Sequence, residues 1–254
     1  MPCAVKRIGI GIEKDADKVL ESASRLSGRC EIICYCRPGV ISRRDIEPRI
    51  RIAEHPAPEQ SLVDDLASGR IDAAVRGTLP SNSTLIALKK AMGVDHLERI
   101  ALLETAGGTK FLLTPVGVDE GWSVSDKVEL VKKGLVIAKK FGLPEKAGIL
   151  SGGRFGDLGR HHEVDASMVD AKEVARITGA EDSQILIEDA VKTCGLIIAP
   201  DGISGNLIFR TLVFLGAGHG HGAPVVNIHK IFVDSSRASP NYTNALLLAV
   251  SLLE

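Results

Sequence analysis

The sequence predicts an α/β protein with mainly parallel sheets and helices on both faces. Short apolar runs such as 31–36 and 147–150 alternate with segments of helical apolar spacing such as 16–26 and 124–141. Glycine and proline punctuate the boundaries, at Gly69, Gly77, Gly93, Gly142 and Pro144. Apolar residues make up 44% and charged residues 25%, the balance of an ordinary globular chain.

Taken in order, Val5 to Ile12 reads as a first strand. From Glu13 to Leu26, the residues Ala16, Val19, Leu20, Ala23 and Leu26 line one helix face. Glu31 to Cys36 is a second strand, broken by Arg37-Pro38-Gly39. Residues 40–57 are charged and irregular, with a short strand at Arg49 to Ala53. Pro58 to Ala67 is a helix with proline at its start and Gly69 after it. Ile71 to Val75 is a strand and Ser81 to Met92 a helix stopped by Gly93. Arg99 to Leu103 and Lys110 to Pro115 flank Ala106-Gly107-Gly108-Thr109 and form a hairpin.

A long amphipathic helix follows at Val124 to Phe141, then a strand at Ala147 to Leu150 and a glycine-rich loop to Gly159. Val164 to Ile177 is helical, Gln184 to Ile187 a short strand, and Asp189 to Thr193 a short helix or turn. Leu196 to Ala199 is a strand, and a helix then runs to Leu215. Gly216 to Pro224 is expected to be a flexible crossover, Val225 to Val233 one or two strands, and Asn241 to Leu253 the final helix.

The 254 residues suffice for one large α/β domain or two small ones. A formal net charge of -1 offers no basic surface for nucleic acid, and 4% aromatic content offers few stacking platforms. No basic-then-apolar leader stands at Met1 and no apolar stretch is long enough to span a bilayer, so a cytoplasmic protein without a membrane span is expected. Of five cysteines, Cys30, Cys34 and Cys36 cluster in a spacing that matches no metal motif, so buried thiols are expected. His161-His162 and His219-x-His221 lack matched carboxylates or thiols, and no metal site is assigned to them.

The stretch that invites chemistry is Pro200-Asp201-Gly202-Ile203-Ser204-Gly205-Asn206-Leu207, between two apolar runs. A strand, glycine turn and helix in that order point the free N–H groups of the first helical turn at one spot. Gly202 and Gly205 suit positive φ or close ligand approach, and Ser204 or Asn206 suits capping or ligand contact. Asp201 is equally suited to accept backbone N–H bonds. Ligands of parallel sheets sit beyond the carboxyl ends of the strands. That topology predicts a common cleft for 77–83, 151–160, 201–206 and 234–237.

These segments resemble the phosphate acetyl/butyryltransferase family. The family's Pro-Asp-x-x-x-Gly-Asn run corresponds to Pro200 to Asn206. Its Lys-Pro-Val-Asn-Asp-x-Ser-Arg-Gly run corresponds to Lys230-Ile231-Phe232-Val233-Asp234-Ser235-Ser236-Arg237-Ala238. Gly69 to Ala73 with Gly77, Leu150-Ser151 before glycines, and Asp189-Ala190 match three further segments in the family's order. The length and the ending resemble a narrower archaeal group, the methanogenesis marker protein 4 or MtxX proteins, described as methyltransferase subunits.

The resemblance implies an isocitrate/isopropylmalate-dehydrogenase-like, phosphotransacetylase-like fold with a cleft between two domains. Residues 1–93 with 222–254 would form the first domain and 94–221 the second, in a homodimer. It also implies coenzyme A or another coenzyme thiol as cofactor, and partners among methyl-transfer subunits. On this reading Ser236 and Arg237 bind a phosphoryl group and stabilise charge during acyl transfer. Asp201, Gly202, Ser204, Gly205, Asn206, Asp234, Ser151, Gly152, Gly153 and Arg154 contact the substrate.

Bland alternatives stand beside each role. Arg237 with Asp234 suits a loop-ordering salt bridge, Asp201 to Asn206 a capped helix start, and Ser151 to Arg154 a flexible surface loop. The sequence also departs from the family. Ile231 and Val233 replace Pro and Asn, and Ala238 replaces Gly. The carboxylate the family uses on the coenzyme A thiol is missing from Pro240-Asn241-Tyr242-Thr243-Asn244. A thiol needs a base or a lowered pKa to attack.

Two functions therefore remain open: transfer of an acyl or methyl group, and a non-catalytic ligand-binding or assembly role in methanogenesis. An NAD-linked dehydrogenase is disfavoured, because Ile12-Glu13 follows Gly9-Ile10-Gly11 where the dinucleotide fingerprint needs another glycine.

Overall fold

The computed structural model describes residues 5–42 and 47–254. The chain divides into two compact units, 1–97 with 222–254, and 98–221.

In the first unit the chain forms β1 (Arg7–Ile12), α1 (Ala16–Ser24), β2 (Glu31–Cys36), β3 (Ile50–Glu54), α2 (Pro58–Ser68), β4 (Ala73–Val75) and α3 (Ser81–Met92). β1 lies between β2 and β4, β3 pairs outside β2, and all three pairings are parallel. Ile8, Ile10 and Ile12 of β1 are fully buried. Each contributes roughly 1.5–3 kcal/mol by leaving water. A Cβ on Gly11 would lie 2.1 Å from Leu79 Cδ1, so this glycine serves core packing. α2 begins at Pro58 and ends at Gly69 with φ 76°, the left-handed cap that glycine adopts without a Cβ penalty.

The second unit opens with the hairpin of β5 (Ala101–Glu104) and β6 (Lys110–Thr114). It continues through α4 (Val124–Lys140), β7 (Ala147–Leu150), α5 (His162–Thr178), β8 (Glu181–Gln184), α6 (Ile187–Thr193), β9 (Leu196–Ile198) and α7 (Gly202–Arg210). Its strand order is β5-β6-β9-β7-β8, with β6, β9, β7 and β8 parallel. Leu112, Leu113, Ile149, Leu196, Ile197 and Ile198 form the buried sheet interior. A capping box starts α4: Asp126 N–H donates to Ser123 Oγ at 3.1 Å, and Ser123 N–H donates to Asp126 Oδ2 at 3.0 Å.

The chain returns to the first unit through β10 (His219–Pro224), then forms β11 (Ile231–Asp234) and α8 (Thr243–Leu252). β11 runs parallel to β4 and antiparallel to β10.

Four expectations are corrected. The 216–224 crossover is a strand from His219, because Ala223 and Pro224 pair with Asp234 and Val233. Residues 225–233 hold a strand only from Ile231, since the chain turns between Val225 and β11. The strand expected at 184–187 lies at 181–184. Gln184 turns at φ 54° and Ile187 already opens α6. The helix expected to run to Leu215 is α-helical to Arg210 and then a π-turn over Thr211–Leu215.

Candidate functional site

Two clusters stand at carboxyl ends of strands, one in each unit. In the first unit, β4 and β11 end side by side, and Arg76 after β4 joins them. Arg76 is 5% exposed. Its Nε donates to Asp234 Oδ1, its Nη2 to Ser235 O, and its Nη1 to Leu79 O at 2.7 Å. Ser235 Oγ donates to Gly77 O at 3.2 Å. Asp234 is therefore the anchor of the loop, paired with Arg76 and not with Arg237 as the salt-bridge alternative required. Arg76 was not singled out from sequence. An arginine directly after a three-residue apolar strand was the available signal, because burial there demands a paired charge.

Beyond Ser235 the chain makes a tight turn. Ser239 N–H donates to Ser236 O at 3.1 Å and Ala238 N–H to Ser236 Oγ at 3.2 Å. Arg237 is exposed, and its guanidinium has no partner among the described residues. The N–H groups of Ser236 and Arg237 likewise have none there. Two adjacent free N–H groups, one hydroxyl and one guanidinium thus lie within two residues. That donor set suits an anion with several oxygens.

In the second unit, α7 starts on a loop, 115–121, that follows β6. Asp201 caps the helix: Ser204 N–H donates to Asp201 Oδ1 at 2.8 Å, and Ser204 Oγ to Asp201 Oδ2 at 3.0 Å. Gly202 N–H donates to Glu120 O at 3.2 Å, and Asn206 Nδ2 to Val116 O at 2.9 Å. Neither Gly202 nor Gly205 has positive φ. A Cβ on Gly202 would lie 1.6 Å from Gly117 O, and one on Gly205 1.9 Å from Pro115 O. Close approach is the reason for both glycines, and the neighbour is this chain's own backbone. The Gly202 and Ser204 N–H groups expected to face a ligand are thereby taken up within the protein.

The 115–121 loop is itself held by a buried ion pair. Arg99 Nε donates to Glu120 Oε1 at 2.5 Å, and Arg99 N–H and Gly117 N–H both donate to Glu120 Oε2 at 3.2 Å. Burial raises the Glu120 carboxyl pKa against the opposing pull of Arg99.

The glycine-rich loop after β7 is tied down. Ser151 Oγ donates to Gly153 O at 3.1 Å, Gly152 N–H to Ser167 Oγ at 2.8 Å, and Arg154 N–H to Asp157 Oδ2 at 2.8 Å. Phe155 N–H donates to Gln184 Oε1 at 2.9 Å. Ser151 is buried and Arg154 exposed. These bonds tie the loop to α5 through Ser167 and to β8 through Gln184.

His161 caps α5 by accepting from Glu163 N–H at 3.3 Å, and His221 Nε2 lies 2.9 Å from Glu104 Oε2. Cys30, Cys34, Cys36 and Cys194 are buried and unbridged, and burial pushes the Cys34 thiol up to about 12. Cys3 lies outside the described residues. Among the described residues no group of three or more His, Cys, Asp or Glu side chains is arranged to hold a metal. No helix among them is long and apolar enough to cross a membrane.

Along its sequence the chain is 41% identical over 254 residues to "Putative methyltransferase mtx subunit X" of Methanosarcina barkeri. That match covers 97% of this chain and 93% of the relative. The chain belongs to the mtx subunit X family. The Methanosarcina mazei protein of the same name is 42% identical over 259 residues, covering 97% of this chain and 90% of its own length. A methyltransferase-named protein of Methanopyrus kandleri is 34% identical over 261 residues, covering 97% and 98%. No family model matches the chain.

The fold of this chain is that of phosphotransacylases. A branched-chain phosphotransacylase from Enterococcus faecalis superposes with TM-score 0.75 at 18% identity, over 98% of this chain and all of the other. A phosphotransacetylase from Staphylococcus aureus gives 0.72 at 12% identity, over 98% and 94%. A 4-hydroxythreonine-4-phosphate dehydrogenase from Klebsiella pneumoniae gives 0.60 at 10%, over 97% and 99%. In this chain the stretch 240–244, which lacks a carboxylate, carries Tyr242, whose side chain is wholly buried.

Proposed function

We propose that this protein is a transferase-like member of the phosphotransacylase fold, linked to methanogenesis, whose ligand is a small anion or an anionic coenzyme thiol. The observation that carries the reading is the Ser236–Arg237 turn. Its two N–H groups and its guanidinium have no partner among the described residues, while Asp234 and Ser235 beneath it are locked by Arg76. Arg237 and Ser236 hold the anion and disperse charge as it develops. Asp234 shapes the turn. Within the second unit, Asp201, Gly202, Ser204, Gly205 and Asn206 fix the start of α7, and of Ser151, Gly152, Gly153 and Arg154 the exposed Arg154 is the group that offers an anion a contact.

In acyl transfer from an acyl phosphate, a thiol loses its proton to a base and its sulfur bonds to the carbonyl carbon. The bond from that carbon to the phosphate oxygen breaks, and phosphate leaves with the electron pair. Methyl transfer to a coenzyme thiol is the alternative chemistry, and the relatives' names favour it. A homodimer and association with methyl-transfer subunits belong to the same reading.

A second reading is a non-catalytic ligand-binding or assembly subunit. The stretch 240–244 favours it, because it offers no carboxylate to take the thiol proton and its tyrosine is buried.

The test compares native protein with Arg237→Ala in two assays, coenzyme-A-dependent arsenolysis of acyl phosphates and methyl transfer to coenzyme M. Turnover that collapses in the variant supports the transferase. Absence of turnover, with a melting temperature raised by phosphate or coenzyme A only in native protein, supports the binding subunit. No turnover and no shift removes both.

A further inference from the structure

The Ser236–Arg237 turn is held almost wholly through its carbonyl groups. Arg76 Nη2 donates to Ser235 O. The Tyr242 hydroxyl, at the start of α8, lies 3.2 Å from Ser236 O and 3.5 Å from Arg237 O, one proton shared between two acceptors. Lys18 Nζ, from α1, donates to Ser239 O at 3.0 Å. Carbonyls bound on one side leave the Ser236 and Arg237 N–H groups directed elsewhere and unpaired among the described residues.

Tyr242 is the centre of this arrangement. It is fully buried. Its N–H donates to Ser22 Oγ at 2.9 Å, and that hydroxyl donates to Lys18 O at 2.8 Å. Lys18 Nζ stands 5.6 Å from the centre of the Tyr242 ring. Tyr242, at the start of α8, thus meets α1 through its backbone N–H and its ring and the turn through its hydroxyl. A buried hydroxyl is retained against an apolar ring only where its bond is made, and here the acceptors are the carbonyls of the two residues that carry the anion donors.

We infer that Tyr242 is a positioning residue for the anion site: its hydroxyl fixes the peptide planes of Ser236 and Arg237 so that their N–H groups and the Arg237 side chain converge on one ligand. This rests on the anion reading of the turn. It names the device that pre-organises the turn, in the stretch where the related transacylases are expected to place an acid. Affinity then depends on a residue that never touches the ligand.

The experiment uses the full chain as native protein, Tyr242→Phe, Arg237→Ala and the double variant. Inorganic phosphate is the probe, titrated by calorimetry, and amide hydrogen exchange is followed across 235–239. Loss of one hydrogen bond predicts phosphate affinity weakened roughly twofold to tenfold in Tyr242→Phe. The Ala238 and Ser239 amides, which bond to Ser236, should exchange faster while the sheet amides stay unchanged. Because Tyr242 orients the two N–H groups as well as the Arg237 side chain, the double variant should bind phosphate more weakly than Arg237→Ala, but by less than the sum of the two single losses.

Unchanged phosphate affinity in Tyr242→Phe overturns the positioning role, even where exchange accelerates. If native protein binds no phosphate, the anion reading fails on its own, and exchange alone then judges Tyr242. Acceleration confined to 238–239 keeps it as the residue holding the turn, and no acceleration there removes it. Lys18→Met, which deletes the bond to Ser239 O and leaves the phenol in place, should reproduce the exchange effect at Ser239 if Tyr242→Phe proves unstable.

Discussion

Arg76 and Asp234, 158 positions apart in the chain, form a buried ion pair that joins the ends of β4 and β11. Removing one partner of such a pair strands a charge without water. Asp234→Ala should lower stability by about 3–5 kcal/mol in urea unfolding. A loss under about 1 kcal/mol would mean that the Arg76 bonds to Leu79 O and Ser235 O suffice.

Arg237 should behave in the opposite way. It is exposed and unpaired among the described residues, so Arg237→Ala should change stability by no more than about 0.5 kcal/mol. Any rise in melting temperature that phosphate produces in native protein should vanish. A large intrinsic destabilisation would assign this side chain to the fold and not to a ligand.

Gly202 is held by packing. Its Cβ would meet Gly117 O at 1.6 Å, and backbone cannot yield as a side-chain tip can. Gly202→Ala should cost about 3 kcal/mol or more, at the upper end for overpacking. Thermal unfolding of the variant without ligand is the measurement. An unperturbed midpoint would return this glycine to a ligand role.

Alkaline titration reads Tyr242 directly. Burial pushes its phenol from 10.0 up to about 12. Folding thus favours the neutral form. The stabilisation is complete below pH 10 and is lost as pH rises from about 10 to about 12. In Tyr242→Phe the fall of stability over that interval should be shallower than in native protein. Tyr35, also raised by burial and by its bond to Asp65, remains in both proteins and cancels in the comparison. Identical slopes would place the alkaline loss elsewhere.

The buried thiols should be silent in the native state. Cys30, Cys34, Cys36 and Cys194 are raised by burial, and the thiolate is the reactive form. Maleimide labelling followed by peptide mapping should mark these four only after unfolding. Rapid native labelling of Cys34 or Cys36 would reveal an opening of β2.

Much of the fold was legible in the sequence. The segments 31–36, 81–92 and 147–150 form the expected elements residue for residue, because apolar period and flanking glycine or proline act locally. The 219–224 strand was not legible: its run of glycine and histidine has no strand preference, and pairing with β11 imposes its conformation. At the candidate site, Ser236 and Arg237 were readable through motif order. Arg76 and Tyr242 were not, since an arginine after an apolar strand signals only that a partner is needed, and a tyrosine carries no periodic or motif signal, until burial brings each its partners.

Local chemistry along the chain determined the alternation of strands and helices, the glycine and proline stops and the family resemblance. Those features depend on neighbours within one or two turns. Tertiary structure alone decided that Asp234 answers Arg76, that the Gly202 N–H answers Glu120 O, and that the Tyr242 N–H meets Ser22 Oγ. Each of these contacts removes polar groups from water, so each forms only where folding brings a compensating partner from a distant segment.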